Sequence, residues 1–331
     1  MSLFRFKLKK PGNYFFLVPW VAFLPWYGML ITMLICWAAQ GHPIYWFMDT
    51  DQFPVYISDI GATNLKPLFI ACAGWQGLGY ALTLLLELVL REYRYLNPWF
   101  TKTERNLILA SFICGGLAQI ALLMVTIFST AKHHHVHIGM LAVFIVFMFF
   151  SSCFLTAEYF LMGKHYALIH YKNTSKEEQM ETITSTFESN SETTPHTEGQ
   201  TSSSSSSSSE NVTESPTVVG TEKDHSPTSQ IRHRTPWYKI EGYKWNKFTI
   251  SALCKLIWIV LAVVWAMLFG LLTNDSRSAD FEWLLAFWFG IIFIILSVDF
   301  YLGSRWKFSK HFPKVKDFGD YYKYQDYSSF S

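Results

Sequence analysis

The sequence has few charged residues, and this shortage argues against an ordinary soluble domain. Only 16% of its 331 residues are Asp, Glu, Lys or Arg, against about 25% in soluble globular proteins. Half of the residues are apolar and 18% are aromatic. A chain with this balance has too little charge to cover a water-facing surface, which indicates a membrane protein.

Cysteine is also scarce, and its positions give no sign of a disulfide framework. All five cysteines fall in long apolar runs: Cys36, Cys72, Cys114, Cys153 and Cys254. None lies in a predicted external loop, where an oxidising compartment would favour disulfides. One question stays open, which is whether Cys36 and Cys72, both near the predicted outer surface, pair with each other.

The motifs of catalysis and nucleotide binding are missing as well. The chain has no nucleophile elbow, no paired-carboxylate site and no phosphate-binding glycine loop. Four histidines lie close together at His133, His134, His135 and His137, but no cysteine or acidic ligand accompanies them, as a zinc site would require. We therefore expect no enzyme activity, no cofactor, no bound metal and no nucleic-acid partner.

The chain does contain six apolar runs of bilayer-spanning length. Each is near the roughly 20 residues that cross about 30 Å as a helix. The runs are 14–37, 68–90, 106–128, 138–160, 248–272 and 283–302. In lipid the backbone must bond within helices or closed barrels, and these runs show no strict alternation. The sequence predicts an all-α membrane protein with a bundle of six transmembrane helices.

The distribution of Lys and Arg sets the orientation of these helices. One side of the membrane carries 23 basic residues, and the other carries Lys66, Lys132 and Arg277. The positive-inside rule then places both termini in the cytosol. The predicted organisation is a basic N-terminus at 1–13, helices one to four at 14–172, a loop at 173–230, a basic segment with helices five and six at 231–303, and a basic-aromatic tail at 304–331.

The cytosolic loop at 173–230 is a low-complexity segment. It is rich in Ser, Thr and Glu, includes the serine run 202–209, and has almost no large apolar residue. Such a segment cannot bury enough apolar surface to offset the entropy of ordering. We expect it to be disordered.

Four ionisable residues lie inside the predicted spans, each toward the cytosolic end. They are Glu87, Glu158, Lys255 and Asp299. Glu87 precedes Arg91 by four residues, which allows a helical ion pair, and Lys255 can pair with Glu158 or Asp299. Charges inside a membrane are functional candidates by default. Two interpretations stay open: ion pairs within the bundle, or a polar cavity in the cytosolic leaflet that admits a lipid headgroup.

Basic and aromatic residues alternate on the cytosolic side. The basic residues are Arg232, Arg234, Lys239, Lys244 and Lys247 before the fifth span, and Arg305, Lys307, Lys310, Lys314 and Lys316 after the sixth. A basic residue beside an anionic membrane surface gains about 1 kcal/mol, and Trp and Tyr favour the interface. This pattern predicts a cytosolic face that binds anionic inner-leaflet lipids, as in a plasma membrane.

The external stretch VYISDIGATNLKP is unusually polar for its place between the first two apolar runs. Gly61 can adopt a positive φ, and Ser58 and Asp59 can bond to local backbone groups as turn residues do. Asn64 can cap the next helix, with Pro67 in its first turn. The stretch predicts a structured loop. Asp59 either locks this loop or belongs to an outward-facing lipid or partner site.

This stretch resembles the signature of the DRAM/FRAG/Sfk family of six-helix membrane proteins, which reads P-[YF]-I-S-D-x-G and then a Pro before the second helix. The matching residues are Pro54, Tyr56, Ile57, Ser58, Asp59, Gly61 and Pro67, with Val55 inserted after Pro54. The segment HVHIGMLAVF, which contains His137, looks like the family's Val-His…Gly segment at the start of the fourth helix. The Ser-rich loop and basic tail are similar to those of the fungal Sfk-type branch, "suppressor of four kinase".

The resemblance implies a multi-pass plasma-membrane protein that acts as a scaffold or regulator. It would support recruitment of a phosphatidylinositol 4-kinase complex, phosphoinositide signalling and phospholipid asymmetry. Two alternatives stay open. One is a lipid-handling protein, either translocase-like or a factor that remodels GPI anchors. The other is an autophagy-related regulator of the vacuole or lysosome, and a Golgi location is also compatible with the family.

The orientation makes a direct prediction for the cytosolic loop. In sealed vesicles with the cytosolic face inside, protease added outside should leave the loop at 173–230 intact, because the membrane encloses it. Immunoblotting of a C-terminally tagged chain measures the fragments. Detergent-permeabilised vesicles are the control, in which the loop should be cut. Cleavage within 173–230 in sealed vesicles would overturn the orientation.

Overall fold

Six long helices form a closed bundle in the computed structural model of the chain, which describes residues 14–48, 51–93, 95–191 and 245–303. The helices are α1 (Val18–Ala39, after a 3-10 turn at Phe15–Leu17), the single turn α2 (Ile57–Ile60), α3 (Lys66–Glu92), α4 (Lys102–Ile127), α5 (Thr130–Ser191), α6 (Lys247–Leu271) and α7 (Asp275–Gly303). All except α2 are long and apolar enough to cross a membrane. This confirms the predicted six-helix membrane bundle.

The helices are arranged as a ring in which chain neighbours are also spatial neighbours. α1 packs on α3, α3 on α4, α4 on α5, α5 on α6 and α6 on α7, and α7 closes the ring against α1. The centre is filled by large side chains. The ring of Tyr80 meets that of Phe293 edge-on at 6.0 Å, and the Tyr80 hydroxyl lies 3.1 Å from Ser151 Oγ.

Two helices on the cytosolic side begin with local capping signals. Thr101 and Glu104 form a capping box at the start of α4. Asn246 caps α6, because its side-chain oxygen accepts hydrogen bonds from the backbone N–H groups of Phe248 and Thr249. The bonds to Asn246 satisfy the first N–H groups of α6, which have no partner within the helix.

Helix α5 is longer than the sequence predicted. It bends at His133, where the backbone is not helical, and its apolar membrane segment is Thr130–Leu168. The predicted disordered loop begins at 173, but the helix continues to Ser191. This part of the boundary was wrong because Lys, Glu, Gln and Met, which favour helix, are frequent after position 175. The rest of the loop lies outside the described residues, as do the predicted N-terminus and tail.

Glycines allow close approach between neighbouring helices. A Cβ atom on Gly79 of α3 would lie 2.5 Å from the Cβ of Ala22 in α1. A Cβ on Gly163 of α5 would lie 2.5 Å from Thr249 Oγ1 and 3.1 Å from its backbone nitrogen in α6. Small residues at such crossings let helices pack tightly within a membrane.

All five cysteines are free in the structure. Cys36 and Cys72 therefore do not form a disulfide. The bundle is held by packing and polar contacts between helices.

The crossing of α1 and α3 predicts a position-specific cost for an added methyl group. Gly79→Ala should destabilise the chain by about 1–3 kcal/mol, because the new Cβ also meets backbone of α1 and the helices must separate. Gly116→Ala is the matched control, since a Cβ there meets nothing within 4 Å. Thermal unfolding of both variants in the same detergent measures the difference. Equal stability of the two would show that α1 and α3 do not cross at Gly79.

Candidate functional site

Charged side chains of the bundle gather in two regions, one toward each membrane surface. In the cytosolic half, Arg91 is the central group. Its Nη2 lies 2.6 Å from Glu87 Oε1, and its Nε lies 3.6 Å from Glu158 Oε1. Its Nη1 donates to the backbone oxygen of Asn97 at 2.8 Å. The guanidinium thus ties α3 to α5 and to the connection between α3 and α4, and the predicted Glu87–Arg91 pair is present.

A second ion pair lies across α6 and α7. Lys255 Nζ donates to a carboxylate oxygen of Asp299 and to Ser251 Oγ, the latter at 2.8 Å. The sequence left Glu158 and Asp299 as candidate partners of Lys255, and in the structure Lys255 pairs directly with Asp299. The same Nζ lies 3.1 Å from the centre of the Tyr159 ring, where an ammonium is attracted to the π face.

Tyr159 joins the two ion pairs and was missed by the sequence analysis. Its hydroxyl donates to Glu87 Oε1 at 2.7 Å and accepts from Arg91 Nη2 at 3.0 Å. Its ring covers the ammonium of Lys255. An aromatic residue in an apolar span gives no sequence signal of this kind, apart from its position next to Glu158.

The resulting ion network, made of Glu87, Arg91, Glu158, Tyr159, Lys255 and Asp299, is closed. Its six members are 0–6% exposed. This argues against the alternative of a cytosolic-leaflet cavity open to a headgroup, because the charged groups are almost fully buried and most of them pair with one another. Within the described ranges, Oε2 of Glu87 and Oε2 of Glu158 accept no hydrogen bond. The network holds three carboxyl groups against two cations.

A further pair at the cytosolic end was also missed. Glu104 Oε1 lies 2.6 Å from His165 Nδ1, which joins α4 to α5. Its other oxygen accepts from the backbone N–H of Phe100 at 2.6 Å and of Thr101 at 3.2 Å. The capping-box spacing of Thr101 and Glu104 was the signal that could have found the second set of bonds.

Lys247 does not lie on the predicted basic face. It is only 9% exposed, and its Nζ donates to the backbone oxygen of Leu302 at 3.0 Å. It thereby caps the last turn of α7, where a cation is favoured. The other nine residues of the predicted basic face lie outside the described residues, and their role stays a prediction.

On the opposite side, the family-motif loop is fastened to the outer end of α7. The backbone N–H of Ile57 donates to Glu282 Oε2 at 2.7 Å. The indole N–H of Trp283 donates to the backbone oxygen of Val55 at 2.9 Å. Both α7 residues follow Asp275 by only two turns, so the loop sits directly on the beginning of the last helix.

Asp59 holds this loop through the side chains of other residues. Its Oδ1 accepts from Thr130 Oγ1 at 3.1 Å and its Oδ2 from Gln52 Nε2 at 3.2 Å. It is 7% exposed. The contact with Thr130 attaches the loop to the first turn of α5, so the loop bridges α5 and α7.

The expectations for Gly61 and Asn64 were wrong. Gly61 has a φ of −66°, so positive φ is not the reason for glycine. A Cβ there would lie 2.3 Å from the Phe69 ring, which makes the requirement steric. Asn64 does not cap α3, since Leu65 is the N-cap residue and its side chain makes no capping hydrogen bond, whereas Pro67 is in the first turn as predicted.

The remaining motif residues, Tyr56 and His137, lie at the same end. Burial raises the pKa of the Tyr56 phenol, a hydrogen bond with Ser278 lowers it, and nearby carboxylates such as Asp275 raise it further. His137 Nδ1 lies 2.9 Å from the carbonyl oxygen of Val125 and 2.8 Å from that of Phe128. Because both partners are acceptors, Nδ1 is a donor, and His137 closes the turn between α4 and α5.

Beneath the motif loop lies a cavity of about 570 Å³, here called the outer-leaflet cavity. Its walls come mainly from α4, α5, α6 and α7 and are almost entirely apolar, for example Leu122, Leu141, Phe144, Val263, Ala266 and Trp288. Its polar lining is small. Ser58, His137 and Glu282 lie toward the outer surface, and Ser152 lies deeper. From His137 to Ser152 the helix rises about 22 Å, so the cavity reaches well into the bilayer core.

Residues of both α5 and α6 line the outer-leaflet cavity. At their cytosolic ends these helices touch, since Asn246 Nδ2 donates to the Gly163 oxygen at 2.9 Å. Further out, side chains of both helices line the cavity and are exposed, among them Val146 and Phe149 on α5 and Met267 on α6. The cavity therefore opens sideways, toward the hydrocarbon of the surrounding bilayer.

A six-helix bundle with a closed ion network in one leaflet and an apolar cavity in the other defines a multi-pass α-helical membrane protein. The N-terminal domain of the Frag1/DRAM/Sfk1/Cwh43P family matches residues 14–191 and 229–303. The chain belongs to this family.

Two fungal proteins support the Sfk-type branch. Protein SFK1 of Saccharomyces cerevisiae is 50% identical over 345 aligned residues, which cover 96% of this chain and 87% of that protein. Protein sfk1 of Schizosaccharomyces pombe is 30% identical over 155 residues, which cover 47% of this chain and 46% of that protein. No solved structure is significantly similar.

The ion network predicts a strong dependence on matched charges. Lys255→Met should destabilise the bundle by about 3–5 kcal/mol, because it leaves the Asp299 carboxylate buried without its cation. Adding Asp299→Leu should recover most of that loss, since the carboxylate that lost its cation is then removed as well. Thermal unfolding in detergent gives both values.

The control for this prediction is an exposed ion pair. Arg105 and Glu92 lie 3.8 Å apart and are nearly half exposed, so Arg105→Gln should cost no more than about 1 kcal/mol. The prediction fails when Lys255→Met is no less stable than Arg105→Gln.

Proposed function

We propose that this chain is a non-enzymatic regulator of lipid organisation in the plasma membrane. It binds a membrane lipid in the outer-leaflet cavity and supports recruitment of a phosphatidylinositol 4-kinase complex at its cytosolic face. Through these contacts it promotes phosphoinositide signalling and phospholipid asymmetry. Membership of the family supports a multi-pass membrane protein of the Sfk type. The outer-leaflet cavity is the observation that carries the proposal.

The cavity suits lipid in position, size and lining. It lies within the membrane-spanning helices and opens toward the bilayer, where lipid chains are the surrounding solvent. Its volume of about 570 Å³ is within the roughly 300–1,000 Å³ of ligand pockets. The apolar walls fit a hydrocarbon chain, and the polar groups at the outer end fit the polar part of the same molecule.

The polar groups favour binding over catalysis. In the ion network the cations pair with carboxylates of the same network, and its members are only 0–6% exposed. At the cavity, His137 Nδ1 bonds to two backbone carbonyls, whereas the histidine of a catalytic triad is oriented by a carboxylate. These contacts support structural or binding roles for the ion network and His137.

Helix α7 connects the two leaflets. Its outer end holds the motif loop through Glu282 and Trp283, and its inner end joins the ion network through Asp299. The next residues along the chain are the basic tail from Arg305 to Lys316. A lipid that shifts the outer end of α7 is thereby coupled to the segment that we propose contacts anionic lipid and the kinase complex.

Lipid translocation or GPI-anchor remodelling is the second candidate function, and the sideways opening of the cavity favours it. The regulator is preferred because the cavity lies on the outer side and the closed ion network fills the cytosolic half below it. A translocation path needs polar groups that a headgroup can reach in both leaflets. The vacuolar alternative is decided separately, by imaging a tagged chain in a fungal cell.

The basic tail provides the test of the kinase role. Replacing Lys307, Lys310, Lys314 and Lys316 by Gln removes four charges, each worth about 1 kcal/mol at an anionic surface. Kinase recruitment and cellular phosphatidylinositol 4-phosphate should fall, while the location of the chain should stay unchanged because the helices anchor it. Fluorescent kinase and lipid reporters measure these quantities.

The matched control replaces the same four lysines by Arg, which keeps the charge and should keep recruitment. A second comparison uses Glu87→Gln with Asp299→Asn in the ion network. Normal recruitment in the tail variant, together with altered headgroup exposure in the network variant, would favour the lipid-handling function over the proposed one.

A further inference from the structure

We infer that the polar end of the outer-leaflet cavity binds the primary ammonium group of an aminophospholipid, with Glu282 as its counter-ion. This inference rests on the proposed lipid-binding function and names the class of lipid. It follows from the charge of the site, from the number of hydrogen-bond acceptors around it and from the depth of the cavity.

The charge of Glu282 favours a cationic ligand. Glu282 lines the cavity, and its hydrogen-bond donors are neutral: the Ile57 N–H at 2.7 Å, and the backbone N–H and hydroxyl of Ser58. Across the described ranges, no Lys, Arg or His forms an ion pair with it. A carboxylate at the edge of an apolar cavity without a cation is costly. A cationic ligand group offsets part of that cost by pairing with the carboxylate.

The hydrogen-bond donors of a primary ammonium suit the acceptors around the polar end of the cavity. A primary ammonium has three N–H donors and no acceptor. Around the polar end, Glu282 supplies carboxylate oxygens and Ser58 a hydroxyl oxygen. His137 donates through Nδ1, so Nε2 of its neutral ring is an acceptor. These residues line the same cavity and together offer enough acceptors for the three donors. A quaternary ammonium has no N–H to offer, and a sterol hydroxyl has one donor and leaves the carboxylate charge uncompensated.

The acyl chain and the phosphate of the lipid also have places at this end of the protein. The apolar part of the cavity extends inward to Ser152, Met148 and Trp258, which accommodates a long acyl chain below the headgroup. The phosphate would remain at the membrane surface. There Arg277, further out on α7, is exposed and can pair with a phosphate.

The test uses the full-length chain in nanodiscs with photoactivatable phospholipids that carry the same diazirine-labelled acyl chain. The headgroups are ethanolamine, N-methylethanolamine and choline. Cross-links to peptides of the cavity wall, around Phe144 and Val263, should decrease along this series as N–H donors are lost. This comparison needs no variant, so it holds even where a substitution impairs folding.

A pair of variants then assigns the selectivity to Glu282. Glu282→Gln keeps an acceptor for the Ile57 N–H but removes the charge, and it should lower ethanolamine-lipid cross-linking at least about tenfold, since charged hydrogen bonds contribute about 1.5–3 kcal/mol. Asp280→Asn is the matched control. It removes an exposed charge two residues away on the same helix and should leave cross-linking unchanged.

The outcomes separate this inference from the proposed function. Equal cross-linking of all three headgroups, or no effect of Glu282→Gln in a folded variant, overturns the inference and leaves lipid binding intact. A photoactivatable sterol that labels the cavity better than the ethanolamine lipid also overturns it. Absence of phospholipid and sterol cross-links to the cavity wall overturns lipid binding itself, and the inference with it.

Discussion

The pairing of Arg91 is the interaction on which the cytosolic half of this bundle depends. A guanidinium inside a membrane must find its partners within the protein, because the hydrocarbon offers none. Arg91 finds them on α3, on α5 and in the connection before α4. Tyr159 then extends the same network to Lys255 and Asp299. Four of the six transmembrane helices are thereby fixed to one another at one end.

This fixed end has a consequence for the other end. Because α5 and α6 are held together near Gly163 and Asn246, their outer halves can diverge without loss of the bundle. The motif loop bridges the outer ends of α5 and α7 through Asp59 and Glu282. A space lined by apolar side chains is left beneath it. The family motif is thus placed where it closes the top of the cavity and supplies part of its polar lining.

The sequence predicted the features that depend on local or averaged properties. Six apolar runs, the asymmetry of basic residues and the four-residue spacing of Glu87 and Arg91 are of this kind. The partner of Lys255, the bridging role of Tyr159 and the cavity were out of reach. They depend on how helices far apart in the chain pack together, and a single sequence contains no measure of that packing. The motif shows the same limit, since Gly61 is required by contact with Phe69 and not by its own φ.

The contrast between the two leaflets favours a regulator over a transporter. In the cytosolic half, charge is abundant, paired mainly within the ion network and buried at 0–6% exposure, which closes that half to headgroups. In the outer half, charge is sparse, yet Glu282 lies beside an apolar space that opens toward lipid. A protein that moved headgroups across the membrane would need accessible polar groups at both levels. A protein that responds to lipid needs one adaptable end, one rigid end and an element that joins them. Helix α7 is such an element, because it contacts the motif loop at its first turns and the ion network at its last.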